Sequence, residues 1–471
     1  MKLQNVILPG RDPKSRWDVD YENDTINTIT PAIASTAPGC TASSSNNPSP
    51  FTLEESPDPA SLLLPPLCHP HIHLDKAYLL TCNAQHNPRC AGTGPLPEYT
   101  DLAPQDGSFK EALEFTARAK QRYTPEDLYL RGSQLLGTSL GQGVTSCRAF
   151  VELDHVTGRK CLDAAVNLKK VFNGMVRVQI CAFAQDPIFS TGHGEENRQI
   201  LSRALEECSE GDIEVLGTTP YVENSREASL ENIKWAVETA LTRGLHLDFH
   251  LDYNLDREQS VMTWDVLQVL KEKRWKDRAQ PGKAIVLGHC TRLTLCEDEE
   301  MERLAKTIKE WQLPVHFVGL PTSDLFMMGR STSGDRRRGT IQVLDMISRG
   351  MDACLSVNNV GNAFTPWGTG DPIALASLGV GVYQAGTEED AVRLYECVST
   401  RARRAIGLES ENDTVALSEG RKGEVLLVRN EQWVGCPGHL GMKIPARQWV
   451  SVRDVVWDPP DVGLRQIVRG G

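Results

Sequence analysis

From about residue 66 to residue 410 the chain alternates short apolar runs with stretches in which apolar residues recur every three or four positions. That is the strand-then-helix rhythm of a parallel sheet with helices outside it. The clearest unit lies near the middle. Leu230, Ile233, Val237, Ala240 and Leu241 share one face of a helix that Gly244 ends, and Leu245 to Asp252 then alternates strictly between apolar and polar residues. In that strand Leu245, Leu247, Phe249 and Leu251 turn toward the helices, which leaves His246, Asp248, His250 and Asp252 on the opposite face. In a closed barrel this second face is the lumen, where ionisable groups are costly unless a metal, a charge partner or a substrate sits at the mouth. His250 lies near the C-terminal end of the strand, the end at which barrel sites are built, and is a candidate metal ligand.

The same logic predicts strands over Gly141–Phe150, Val176–Phe183, Ala284–Cys290 (delivering His289 at its end), Pro314–Val318 and Ala353–Asn359. Outside this region the pattern changes. Leu3–Leu8 reads as a strand, and Thr30–Pro59 is rich in Ser, Thr, Pro and Asn, as expected of a long surface loop. Gly423–Val428 and Arg465–Arg469 read as short strands without intervening helices, expected to pair with the N-terminal strand in a small β domain. The expected organisation is therefore residues 1–65 as the first part of that domain plus the loop, 66–410 as a barrel and 411–471 as the rest of the small domain.

Candidate chemistry centres on Pro70-His71-Ile72-His73-Leu74-Asp75-Lys76. Two histidines one residue apart in an extended segment point to one side, so two imidazoles converge as a strand's offer to a transition metal. His-x-His alone also fits two hydrogen-bonded strand histidines. The 471 residues suffice for a barrel plus something smaller, and 40% hydrophobic with 24% charged residues is an ordinary globular balance. A formal charge of -12, with no basic stretch beyond Arg336-Arg337-Arg338, argues against nucleic acid. The absence of a long apolar run argues against a membrane span, and 13 scattered cysteines without Cys-x-x-Cys fit reduced thiols, hence a cytoplasmic location.

The longer string resembles the first-strand metal motif of the amidohydrolase superfamily, in its cytosine deaminase branch. The resemblance continues at Ala182-Phe183-Ala184-Gln185, Asp248-Phe249-His250-Leu251-Asp252, Gly288-His289, Arg337-Arg338-Gly339 and Asn358 to Gly368. It implies an α/β fold: a distorted (β/α)8 TIM barrel, a small β-sandwich domain formed by both chain ends, and one divalent metal, zinc or iron. Carried over by position, the ligands are His71, His73 and His250, with His289 hydrogen-bonded to the water at the metal. Gln185 falls where relatives bind a heterocyclic substrate, and Asn359 and Trp367 near the last strand, with Lys76, are further candidates for substrate contact. The resemblance also implies a homo-oligomer.

Two departures shape the functional expectation. Where the family carries a metal-binding, proton-accepting Asp after the last strand, this chain has Asn358, an amide that can coordinate through oxygen but cannot accept a proton near neutral pH. Where deaminases carry a proton-shuttling Glu after His-x-Asp, it has Tyr253. Cytosine itself is therefore not the expected substrate. The expectation is a mononuclear metal-dependent hydrolase acting on a C–N bond of a small molecule, a cyclic amide, amidine or amino-substituted ring, with His289, Tyr253, Asp252 and Asn358 as catalytic candidates. A non-hydrolytic enzyme (isomerase, cyclase, lyase or decarboxylase) that keeps the metal is the alternative, and an inactive ligand-binding homologue a further one.

Overall fold

The computed structural model describes residues 1–32, 59–82, 85–86, 96–330, 337, 339–366, 369–409, 414–435 and 443–470. The Ser/Pro-rich segment after Ala32, together with Trp367, Arg336 and Arg338, lies outside them. Eight parallel strands follow one another around a single sheet: β1 (Leu67–His73), β2 (Val144–Glu152), β3 (Arg177–Ala184), β4 (Val215–Thr218), β5 (His246–Leu251), β6 (Ile285–His289), β7 (Val315–Gly319) and β8 (Asp352–Leu355). The segment after β8 brings the two edges together. Ile72 pairs in parallel with Asn358, the His73 amide donates to the Asn358 carbonyl at 2.9 Å, and the Ser356 hydroxyl donates to the His71 carbonyl at 2.6 Å. The result is an α/β barrel of the TIM type.

Each strand is nearly all buried because helices cover its outer face while side chains fill the lumen. The helix Arg226–Arg243 illustrates the joint: Ser225 caps its start by accepting from the Ala228 amide, and Gly244, at φ 64°, turns the chain out of it. That left-handed conformation carries no Cβ penalty at glycine. β5 begins two residues later, where the alternation predicted it.

The chain ends build small antiparallel sheets, a two-stranded one of Trp433–Gly435 with Lys443–Pro445 and two of three strands. Lys2–Val6, Trp17–Glu22 and Thr25–Pro31 form one; Leu62–Leu64, Val425–Val428 and Arg465–Val468 form the other, with Val425–Val428 in the centre. They share an apolar core that includes Val6, Val19, Tyr21, Ile26, Leu63, Val425 and Val468. The expectation of C-terminal strands without helices is corrected here: the six-residue helix Val452–Trp457 separates them, buried through Val452, Val455 and Val456 and capped by Ser451. Six residues with a single apolar stripe are too few for periodicity to stand out in the sequence. Among the described residues no helix is long and apolar enough to cross a membrane.

Candidate metal centre

Three histidines meet at the C-terminal mouth of the barrel. The Nε2 atoms of His71 and His73 each lie 3.1 Å from Nε2 of His250, and all three rings are buried. Parity explains the first two, which stand one residue apart on β1, and β5 brings the third from the far side of the lumen. Among the described residues this is the one group of three or more metal-ligating side chains close enough to share an ion. Phe150 and Phe183 form a dry floor, their rings 4.2 Å from His71 and 4.5 Å from His250. Burial, with neighbouring cations and imidazoles, pushes all three histidines well below their ordinary pKa, so they are neutral and their ring nitrogens are available as donors of a lone pair.

The side chains fit a divalent cation. Nitrogen ligands about 2.1 Å from a tetrahedral ion stand about 3.4 Å apart, close to the spacing seen here. Hydrogen bonding cannot account for it equally well, since Nε2 of His250 would have to serve two identical neighbours while the Nδ1 atoms of all three rings stay buried without a partner. Asn358 adds an oxygen: its Nδ2 donates to Ser323 Oγ at 2.9 Å, which leaves Oδ1 buried and unpartnered beside β1. The amide offers an oxygen without a charge.

Around the centre, His289 is fixed from behind. Its Nδ1 lies 2.8 Å from Asp324 Oδ1, and Asp324 also accepts from Thr340 Oγ1 at 2.9 Å and the Leu320 amide at 3.2 Å. An imidazole that donates Nδ1–H to this carboxylate keeps Nε2 as an acceptor. The Tyr253 ring packs 3.9 Å from that of His289, and its hydroxyl is buried with no partner. Three site-forming segments leave their strands through left-handed residues, Asp252 (φ 50°), His289 (φ 67°) and Asn358 (φ 62°). Asp, Asn and His tolerate this region better than most side chains, yet each such residue still costs on the order of 1–3 kcal/mol and is held only by its surroundings.

Several expectations change on this geometry. Asp252 does not continue the lumen face. With φ 50° the strand parity ends at Leu251, and the carboxylate accepts from the Met262 amide (2.7 Å), the Thr263 amide (2.9 Å) and Thr263 Oγ1 (2.7 Å), fixing the start of the next helix. The carboxylate nearest a candidate ligand's outer nitrogen is instead Asp248, 3.9 Å from His71 Nδ1 and held by Arg148 at 2.7 Å. Burial raises the Asp248 carboxyl to about 7 against the opposing pull of Arg148. Asn359 accepts from Asn362 Nδ2 through its side-chain oxygen at 2.8 Å, so it shapes the loop after β8. Gln185 and Lys76 do come together, at 3.2 Å, and Lys76 is also ion-paired with buried Glu152. His193, with its ring stacked 3.8 Å from His155, is exposed and remote from these groups in its contacts.

Sequence reasoning missed Asp324, Glu152 and two aromatic rings, Phe109 and Tyr221. Phe109 lies 5.6 Å from Tyr253 and 5.9 Å from Phe364, and Tyr221 lies 6.1 Å from Tyr253, so an aromatic wall faces the Lys76–Gln185 pair. Only the acid at the end of β2 carried a signal, a glutamate closing an otherwise apolar strand end.

No family model matches the chain, and no curated protein sequence does. Solved structures do. A 5-methylcytosine deaminase from Klebsiella pneumoniae liganded with 5-fluorocytosine superposes with a TM-score of 0.71 at 22% identity, over 91% of this chain and 91% of that one. N-isopropylammelide isopropylaminohydrolase from Burkholderia multivorans gives 0.68 at 20% identity, over 100% and 96%. An adenosine deaminase from Xanthomonas campestris with bound zinc gives 0.59 at 13%, over 97% and 87%. The chain thus has the fold of deaminases and aminohydrolases, from end to end. At these identities the likeness is one of fold.

Proposed function

We propose that the protein is an amidohydrolase-type enzyme with one divalent metal ion, hydrolysing a C–N bond in a cyclic amide, amidine or amino-substituted ring other than cytosine. The observation that carries this reading is the convergence of three buried Nε2 atoms beside an unpartnered amide oxygen, with the His289–Asp324 pair at the same mouth. His71, His73 and His250 would hold the ion, with Asn358 Oδ1 as the oxygen donor, and the ion would supply Lewis-acid polarisation and a lowered pKa for bound water. His289 Nε2 accepts the proton of the attacking water as its oxygen adds to the ring carbon, and returns that proton to the departing nitrogen; Asp324 stabilises the imidazolium formed between the two events. The Tyr253 hydroxyl donates to a ring heteroatom or developing oxyanion, which gives its buried O–H the partner it lacks. Lys76 and Gln185 orient the ring between the aromatic side chains.

Elemental mass spectrometry on protein purified without chelators tests the reading first. About one equivalent of zinc or iron per chain is expected, with turnover of cyclic amides, amidines or aminated rings that stops on metal removal. A chain that binds no divalent metal after reconstitution would overturn it. The neutral donor set favours one competing reading, a non-hydrolytic reaction using the same centre, because neither Asn358 nor Tyr253 accepts a proton near neutral pH. A product that has not gained the elements of water would select it.

A further inference from the structure

The opposite end of the barrel holds a second cavity. It has a volume of about 460 Å³ and is lined by residues at the N-terminal ends of β6, β7 and β8 and by the loops beyond them. That is within the range of small-molecule sites, roughly 300–1,000 Å³. Its charge balance differs from that of the molecule as a whole. Lys276, Lys283 and Arg404 face Asp352 and Glu409, in a chain whose formal charge is -12. Both carboxylates are already committed. Asp352 pairs with Arg404 at 3.3 Å and Arg401 at 3.7 Å, and Glu409 pairs with Arg403 at 2.7 Å and Arg421 at 3.3 Å. Among the described residues the Lys276 ammonium meets the neutral side chain of Gln312, and the Lys283 ammonium, whose charged neighbour is Glu214, has no hydrogen bond or ion pair within 4 Å.

His316 lies among these groups. Its side chain lines the cavity, is 8% exposed, and faces the Asp352 carboxylate at 4.0 Å. Burial lowers the ring to about 4, with Asp352 pulling the other way and Arg404, Arg148 and Arg401 adding smaller shifts in the direction of burial. Partial burial likewise lowers the Lys283 ammonium below its ordinary range, a cost that a bound anion would offset.

We infer that this N-terminal cavity is a binding site for a small carboxylate- or phosphate-bearing anion, gripped by Lys276 and Lys283 and hydrogen-bonded by His316. It is separate from the histidine centre, because the two lie at opposite ends of the same strands. Titration calorimetry at constant ionic strength, with inorganic phosphate in one arm and succinate in the other, tests the site and distinguishes the two anion types. The expected result is one binding event per chain with at least one probe, at least about tenfold weaker in the Lys276→Gln/Lys283→Gln double variant. Metal content should be unchanged. Both lysines are on the surface side of the cavity, and an unaltered melting temperature without probe establishes that the variant is folded. Failure of both probes to bind the wild-type protein at millimolar concentration, or equal affinity for the double variant, would overturn the inference. The histidine centre takes no part in either outcome.

Discussion

Two buried polar clusters lie side by side at the C-terminal mouth of the barrel, and they handle their polar atoms in opposite ways. In the histidine cluster the Nδ1 atoms of His71, His73 and His250, the Asn358 Oδ1 and the Tyr253 hydroxyl are all buried without a partner. In the neighbouring cluster Lys76 and Lys120 share Glu152, and Lys120 also meets Asp154 at 2.6 Å and Asp186 at 3.1 Å. The two lysines are only 2% and 4% exposed, yet their charges are matched within the protein. Burying a polar group without a partner costs about 1–3 kcal/mol, so a cluster of such groups persists only where something outside the chain completes it. In the paired cluster each ammonium has a carboxylate at ion-pair distance. The first cluster presents open donors and acceptors, and the second holds Lys76 at 3.2 Å from Gln185 beside it.

The comparison is most easily broken from the paired side. Replacing Glu152 with Ala leaves two lysine charges buried with fewer partners, and urea unfolding should report a loss of about 3–5 kcal/mol, whether or not metal is present. A smaller change, within the range of a surface pair, would mean that the network is not the scaffold described. His250→Ala acts on the other cluster: the fold should survive, as judged by circular dichroism, while metal affinity falls by at least about 100-fold in a chelator competition. Retained metal at wild-type affinity would remove His250 from the centre.

Asp324→Asn should leave metal content intact and lower kcat by about 10- to 100-fold, with KM nearly unchanged. The reason is that an amide cannot stabilise the imidazolium of His289 as the carboxylate does. An equal fall in metal content would show that Asp324 acts on the centre's assembly. The smallest effect expected is at Asn358. Asn358→Asp supplies an anionic donor and should tighten metal binding by about tenfold, detectable by the same chelator competition. Under the hydrolytic reading the variant retains turnover. A folded, metal-loaded Asn358→Asp protein with no native turnover would favour the non-hydrolytic alternative.

The parts of this site that could be read in the sequence are those written in short-range periodicity. Alternation placed His71 with His73 on one face of β1 and His250 on the inner face of β5, and it failed at Asp252 because a left-handed residue ended the strand one position earlier than the pattern suggested. Helix-to-strand joints such as Gly244 were equally legible, since a positive φ leaves a residue-type signature. The helix Val452–Trp457 was not, because it is too short for its apolar stripe to differ from a strand. Asp324 had no local signal either. It lies in a seven-residue helix 35 positions from His289, and nothing in the chain between them announces the contact.

Short-range patterning therefore decided the succession of strands and helices, the strand faces and the residue types on each face, because side-chain parity and helical periodicity act over a few residues and are encoded where they act. What only the tertiary structure decided is which of those groups meet and which are left without partners. Closure of the sheet brings Asn358 against His71 and His73 across 285 or more positions, and folding pairs Lys76 with Glu152 while leaving the Asn358 oxygen unmatched. Pairing between distant residues depends on where the whole chain brings them, and it is this pairing, complete in one cluster and open in the other, that separates scaffold from site.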